Sequence, residues 1–232
     1  MWVIPYITAI IPARNEAPRI AAVIRTALAC PLIGQVVVVD DDSSDNTAAV
    51  AAAAGADTYT LLAHGGKGMA LLVGSDVARS NVLAMLDADL IGLTSEHIVG
   101  LAAPVLSGEV GMSVGVVGGT LGDPLRLSGQ RVMLRQVMEE AEAHGLGQAG
   151  YGAETLLTKA ANALGLPITV MDMPGTSNLS KVQKHGLVAG TIGDATMLVE
   201  YVAANPVPFA AGAVIAMLLL SDGSAVRPPR RG

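Results

Sequence analysis

The chain has 232 residues, enough for one sizeable domain with a full hydrophobic core. Its formal net charge of -6 argues against a generic nucleic-acid binder, which normally needs a basic face. Apolar residues make up 51% and aromatic residues 3%, which favours helices packed closely on a sheet. The lone Cys30 excludes an intramolecular disulfide and fits a reducing cytoplasm. The N-terminus has no basic region before its apolar stretch, so we do not expect a signal peptide.

Strands and helices alternate through the first half of the chain. Apolar runs predict strands at residues 7–11, 36–39, 58–62 and 82–86, with helices near residues 18–28, 48–54 and 68–78. This alternation implies a mostly parallel, Rossmann-like sheet flanked by helices, with the site at the carboxyl ends of the strands. Three polar clusters fall at those ends, at residues 14–16, 40–45 and 87–89.

Two carboxylates, Asp87 and Asp89, directly follow the apolar strand at residues 82–86. Side chains alternate along a strand, so we expect both to point to the same side. Carboxylates placed together repel each other and lose solvation, so a cation is expected between them. Hard oxygen ligands suit Mg²⁺ or Mn²⁺, with substrate phosphates completing the coordination. The alternative is a solvated turn after a strand.

The segment His64-Gly65-Gly66-Lys67-Gly68, here called the glycine loop, opens the helix at residues 68–78. Glycine permits close backbone approach, and the N-terminus of a helix favours anions. The ammonium group of Lys67 adds a point charge suited to a diphosphate. A mobile surface lysine is the alternative.

The second half of the chain is less regular. We predict a helix that contains residues 98–105 and is capped by Thr94 or Ser95, then a strand at 110–117. A flexible connection follows at 118–124, and a helix is predicted to begin near Val132. A further helix through residue 164 and a strand at 169–171 complete the pattern.

Four segments carry a family resemblance through their order and spacing. They read IPARNE, VVVVDDDSSDNT, GGKG and LDADL, and they resemble the nucleotide-sugar glycosyltransferases of the A-type fold. The branch they resemble most is the family-two-like group that includes glucosyl-3-phosphoglycerate synthase. The resemblance implies one α/β domain over residues 1–205, with a nucleotide-binding half about 1–90 and an acceptor half about 91–205.

The resemblance also implies where a nucleotide diphosphate sugar binds. It assigns the uridine to two loops, at Pro12, Ala13, Arg14, Asn15 and Glu16 in the first and at Asp40 and Asp42 in the second. Amides and carboxylates of this kind can read a uracil edge or ribose hydroxyls. For Asp45, Asn46 and Thr47 we expect helix capping instead.

A divalent metal, Mg²⁺ or Mn²⁺, is implied by the same resemblance. Asp89 is the expected direct ligand, and Asp87 is either a second ligand or a contact to the ribose or to a metal-bound water. Similar enzymes place a histidine close to the position of Asn178, so this sequence departs from the pattern. Either Asn178 coordinates through its carbonyl oxygen or His185 supplies the third ligand.

Two further segments are assigned to the acceptor and to the transferred sugar. Gly129 would allow close approach and Arg131 could pair with an anionic acceptor, with a surface arginine as the alternative. The loop with Tyr151 and Gly152 precedes Glu154, which the resemblance places against the donor sugar. Glu154 would act as a base in an inverting reaction or orient the sugar in a retaining one.

We therefore expect a metal-dependent, cytoplasmic glycosyltransferase that moves a hexose from a UDP-sugar to a small phosphorylated or carboxylated acceptor. A homodimer is plausible from the apolar helices. The alternatives are a polyprenyl-phosphate glycosyltransferase at the membrane surface and a non-catalytic nucleotide-sugar-binding homologue. Residues 206–220 are predicted to form an apolar C-terminal helix, too short for an ordinary membrane span, and residues 221–232 a disordered tail.

Overall fold

The computed structural model describes residues 7–118, 129–150 and 152–178, which form one seven-stranded sheet with helices on both faces. The strands are β1 (Ile7–Ala13), β2 (Ile33–Asp40), β3 (Asp57–Thr60), β4 (Val82–Met85), β5 (Met112–Val117), β6 (Arg131–Leu134) and β7 (Ile168–Met173). The helices are α1 (Ile20–Ala29), α2 (Thr47–Ala53), α3 (Gly66–Val77), α4 (Ser95–Leu106), α5 (Arg135–Ala143) and α6 (Ala153–Ala163). A 3₁₀ turn at Leu146–Gln148 precedes α6.

The strand order is β3-β2-β1-β4-β6-β5-β7. Strand β6 runs antiparallel to β4 and β5, and the other neighbouring pairs are parallel. This confirms the predicted Rossmann-like, mostly parallel sheet of the A-type fold. Strands β2 and β4 are buried along almost their whole length, as unbroken apolar runs predict for strands covered on both faces.

The helix predicted to begin near Val132 was wrong. Residues Arg131–Leu134 form strand β6, and α5 begins only at Arg135. Val132 and Met133 are both fully buried, one towards each face of the sheet, so consecutive apolar residues fit a central strand here. Pairing with β4 and β5 therefore overrides the helical interpretation of this short run.

Alternation along the strands divides the core into two layers. Ile10, Leu83 and Met85 pack towards α3, α5 and α6. Ala9 and Ile11 pack towards α1, α2 and α4 on the opposite face. Strands β3 and β4 belong to the parallel part of the sheet, so α3, which follows β3, begins at the same edge at which β4 ends. The fold thus brings the glycine loop and the Asp87 segment together.

Several predictions concern residues outside this description. The C-terminal helix at 206–220 and the tail at 221–232 lie outside it, as does most of the connection at 118–124. Within the described ranges, no helix has both the length and the apolar character needed to cross a membrane. The division into nucleotide-binding and acceptor halves stays a prediction.

Candidate active site

The polar segments predicted to form the site meet at one edge of the sheet. Strands β1 and β2 end side by side, where Ala13 pairs with Asp40. The last residue of β4, Met85, pairs with Arg131 at the start of the antiparallel β6. The loop after β4 and the segment before β6 therefore share this edge with the first two polar loops.

Lys67 lies between two carboxylates. Its Nζ donates to Asp87 Oδ1 at 2.7 Å and to Glu154 Oε1 at 2.6 Å, and the lysine side chain is only 21% exposed. Burial opposes the ammonium charge, but the charges of Asp87 and Glu154 outweigh it and raise the pKa of Lys67 above its ordinary range. Lys67 is therefore a fixed cation inside the cluster and not a mobile surface lysine.

Several hydrogen bonds fix the position of Asp87. Its Oδ2 accepts from Gln130 Nε2 at 2.7 Å and from Asn178 Nδ2 at 3.3 Å, while its backbone N–H donates to Gln130 Oε1 at 3.1 Å. Gly129 lies so close that an added Cβ would fall 2.2 Å from Asp87 Oδ1. The close approach expected of Gly129 is therefore an approach to Asp87, and its contact with an acceptor stays a prediction.

Asp89 lies in a turn and not on the strand. Strand β4 ends at Met85, and the Leu90 N–H donates back to the Asp87 carbonyl at 3.3 Å. Strand alternation therefore does not extend to Asp89, and the argument that put both carboxylates on one side fails at this residue. The Asp89 side chain is buried, with 8% of the residue exposed.

The third metal ligand is still a prediction. Asn178 is exposed and directs its Nδ2 donor at Asp87, and His185 lies outside the described residues. Among residues 7–118, 129–150 and 152–178, no group of three His, Cys, Asp or Glu side chains is close enough to hold a metal ion. Coordination by Asp89 and by the carbonyl oxygen of Asn178 also stays a prediction.

Hydrogen bonds join the first polar loop to the second. Asn15 adopts a left-handed backbone with φ of 55°, its N–H donates to Ser43 Oγ at 2.9 Å, and its Oδ1 accepts from the Ser44 N–H at 2.9 Å. The Glu16 N–H donates to Thr47 Oγ1 at 2.8 Å. Two of the residues expected at the nucleotide therefore also fix the shape of the loops around it.

The acidic residues of these loops are in different environments. Glu16 accepts from Arg19 Nε at 2.7 Å, and the buried Asp40 accepts from the hydroxyl and the N–H of Ser43. Asp42 is exposed, with a left-handed backbone at φ of 55°. Contacts of these three residues with a nucleotide stay predictions.

The other residues assigned to the first loop lie at the end of β1. Pro12 is half-buried, Ala13 is buried and Arg14 is exposed at the site edge. Of the three residues expected to cap α2, Asn46 is the N-cap residue but makes no side-chain capping hydrogen bond. Asp45 Oδ1 instead accepts from the N–H of Thr47, the first residue of α2, at 3.0 Å.

Sequence reasoning missed Asp41, Gln130 and His64. Asp41 is 5% exposed, and its carboxylate accepts from the N–H groups of Gly65 and Gly66. The start of α3, which we expected to attract a ligand anion, is therefore already occupied by a carboxylate of the protein. Gln130 lies between Gly129 and Arg131, but no sequence pattern indicated that it pairs with Asp87.

Glu154 and Arg131 are both buried charged residues. Gly152 is buried and precedes α6, which puts Glu154 in the first turn of the helix. Arg131 is 2% exposed, and its Nη1 donates to Thr158 Oγ1 at 2.9 Å. Burial lowers the pKa of Arg131, and the charges of Glu154 and Asp87 oppose that shift. Arg131 is thus a buried cation that interacts with both carboxylates and not a surface arginine, and its pairing with an acceptor stays a prediction. Tyr151 lies outside the described residues.

The family model for glycosyl transferase family 2 matches residues 8–150. No curated protein sequence matches the chain significantly. Among solved structures, the chain is similar to glucosyl-3-phosphoglycerate synthase from Mycobacterium tuberculosis in complex with Mn²⁺, UDP-glucose and phosphoglyceric acid, with 22% identity, a TM-score of 0.69 and 89% and 85% of the two chains covered. A complex of the same enzyme with Mg²⁺ and UDP gives 21% identity, a TM-score of 0.68 and coverage of 90% and 85%.

Proposed function

The chain belongs to glycosyl transferase family 2, whose model matches more than half of its length, and from this premise we propose that it transfers a hexose from a UDP-sugar to a small anionic acceptor. The observation that carries the proposal is the cluster of Lys67, Asp87 and Glu154 at the carboxyl edge of the sheet. In open α/β sheets, ligands bind in the crevice at this edge.

Lys67 supplies the positive charge that a nucleoside diphosphate needs. The backbone N–H groups of Gly65 and Gly66 donate to Asp41, so the ammonium group is the part of the glycine loop suited to the diphosphate. The Lys67 side chain keeps 21% of its surface exposed, and we propose that a phosphate oxygen approaches Nζ from the crevice. Asp87 and Glu154 hold that ammonium in its charged form.

The carboxylates of Asp87 and Asp89 suit a divalent cation. Enzymes that act on nucleotides often bind Mg²⁺ or Mn²⁺ through one or two carboxylates and the substrate phosphates. Asp89 would hold the ion directly and Asp87 would support it, because Lys67, Gln130 and Asn178 already engage the Asp87 carboxylate. A bound ion would supply Lewis-acid stabilisation for the departing diphosphate. The similar solved structures hold Mn²⁺ or Mg²⁺ together with UDP or UDP-glucose.

We propose that Glu154 acts on the transferred sugar. It lies in the first turn of α6, its side chain is 7% exposed, and Lys67 neutralises its charge at 2.6 Å. A buried carboxylate so held can accept a proton from an acceptor hydroxyl in an inverting reaction or orient the sugar in a retaining one.

The acceptor class follows from the resemblance and from the neighbours. Solved complexes of the similar synthase contain phosphoglyceric acid or glycerol 3-phosphate beside UDP-glucose. We propose a small phosphorylated or carboxylated acceptor that enters beside Gly129 and Gly152. A homodimer, a cytoplasmic location and the contact of Tyr151 with the acceptor are parts of the same proposal.

A turnover assay tests the proposal. UDP release from UDP-glucose is measured with Mn²⁺ and a panel of phosphoglyceric acid, glycerol 3-phosphate, simple carboxylates and a polyprenyl phosphate. We expect turnover with a small anionic acceptor and its loss in Asp89→Ala and Glu154→Gln. Turnover only with the polyprenyl phosphate would support membrane-surface transfer, and donor binding with no turnover across the panel would support a non-catalytic binding protein.

A further inference from the structure

The carboxylate of Asp41 holds the glycine loop from the side of the sheet. Its Oδ1 accepts from the Gly65 N–H at 2.7 Å, and its Oδ2 accepts from the Gly66 N–H at 3.0 Å. His64 Nδ1 lies 2.7 Å from the same Oδ2. All three contacts are made to the residues that immediately precede Lys67.

Asp41 is itself fixed to the core. It follows β2 directly, is 5% exposed, and donates its own N–H to the Ala13 carbonyl at 2.8 Å. A carboxylate that accepts two backbone N–H groups at the start of a helix makes strong, charge-assisted hydrogen bonds. Asp41 therefore connects the ends of β1 and β2 to the first turn of α3.

The other side of the loop is fixed by the segment before α6. The Gly68 N–H donates to the Ala149 carbonyl at 3.0 Å, and an added Cβ on Gly68 would fall 1.8 Å from the Leu146 carbonyl oxygen. Lys67 is thus held between the sheet edge and the segment that leads to Glu154. Gly66, at φ of 81°, adopts a left-handed conformation that glycine tolerates without strain.

We infer that Asp41 is a positioning residue that fixes the glycine loop so that Lys67 meets the diphosphate of the donor. This inference rests on the proposed function. It separates three consecutive aspartates by role, since Asp40 accepts from Ser43 and Asp42 is exposed. The competing role is direct contact between Asp41 and the nucleoside.

Binding of two ligands to Asp41→Asn tests the inference, because UDP carries the diphosphate and uridine does not. We expect UDP to bind about tenfold or more weakly, since one of the two amides loses its charged acceptor. Uridine should bind within about twofold of wild type, and in a Lys67→Met background Asp41→Asn should weaken UDP by less than about twofold. Asp76→Asn, which removes an exposed carboxylate farther along α3, is the matched control.

Equal weakening of UDP and uridine would overturn the inference and assign Asp41 to the nucleoside. Additive losses in the double variant would overturn it as well. Hydrogen exchange at residues 61–70 gives a readout without ligand, and it should be faster in Asp41→Asn and unchanged in Asp76→Asn. Wild-type protein that binds neither ligand would refute the proposed function itself, whereas unchanged exchange in Asp41→Asn would refute the role of Asp41 in holding the loop.

Discussion

Replacement of Lys67 by methionine tests how the buried charges of the site are balanced. The ammonium group lies 2.7 Å from Asp87 and 2.6 Å from Glu154, whose side chains are 16% and 7% exposed. At an effective dielectric constant of about 20, each contact corresponds to roughly 6 kcal/mol of attraction before desolvation is subtracted. Removing the shared partner of a buried ion pair costs about 3–5 kcal/mol, because the carboxylates that remain are then compensated less well, here by the buried Arg131. We expect Lys67→Met to lower the free energy of unfolding by about this amount at neutral pH.

The loss of unfolding free energy in Lys67→Met should depend on pH. Without the ammonium group, the folded variant carries excess buried negative charge, and proton uptake relieves this charge as the pH falls. The deficit relative to wild type should therefore shrink between pH about 8 and about 5.

Urea unfolding in metal-free buffer, followed by circular dichroism, measures this deficit at each pH. Lys159→Met removes an exposed lysine of α6 and should change stability by less than about 0.5 kcal/mol. A loss below about 1 kcal/mol for Lys67→Met, or one that does not vary with pH, would refute the account of the cluster.

Two other perturbations address the site and the loops beside it. Gly129→Ala adds a Cβ that would lie 2.2 Å from Asp87 Oδ1, so Asp87 must shift. We expect kcat for UDP-sugar turnover, measured by initial rates, to fall at least about tenfold. The Tm should change by less than about 4 °C. An unchanged kcat would contradict this placement of Asp87. Burial alone would raise the pKa of Asp45, but hydrogen bonds from Thr47 and Ala17 lower it below its ordinary value of 3.8. The ionised Asp45 therefore stabilises the fold above its ordinary pKa, and this stabilisation is lost as the pH falls through the lowered pKa of the folded state. The urea midpoints of wild type and Asp45→Asn should converge on acidification.

The parallel part of the sheet and the location of the site were predictable from the sequence. Buried parallel strands are unbroken apolar runs, and β2 and β4 are of this kind. The carboxyl ends of such strands meet at one edge, so polar residues that follow them converge. Lys67 and Asp87 follow β3 and β4 and come together for this reason, whereas Glu154 reaches them through the segment before α6.

Strand β6 could not be predicted from its own residues. Val132, Met133 and Leu134 form a short apolar run that suits a buried helix as well as a buried strand. The outcome depends on pairing with β4 and β5, which are distant in sequence. The same strand buries Arg131, which the sequence suggested as an acceptor contact.

The sequence also could not predict where individual polar side chains point. Three consecutive aspartates carry no local signal for which one faces the glycine loop. In the structure, Asp42 has a left-handed backbone and is exposed, whereas Asp41 is buried and accepts from Gly65 and Gly66. Likewise, the sequence placed Asn178 near the site but could not show that its amide donates to Asp87.

Calorimetric titration of UDP into the protein, with and without Mn²⁺, tests the central claim most directly. We predict Mn²⁺-dependent binding that weakens at least about tenfold in Asp89→Ala and again in Lys67→Met, because each removes a charge proposed to act on the diphosphate or its metal ion. Failure of the wild-type protein to bind UDP, or binding that neither substitution alters, would contradict a nucleotide site at this edge of the sheet.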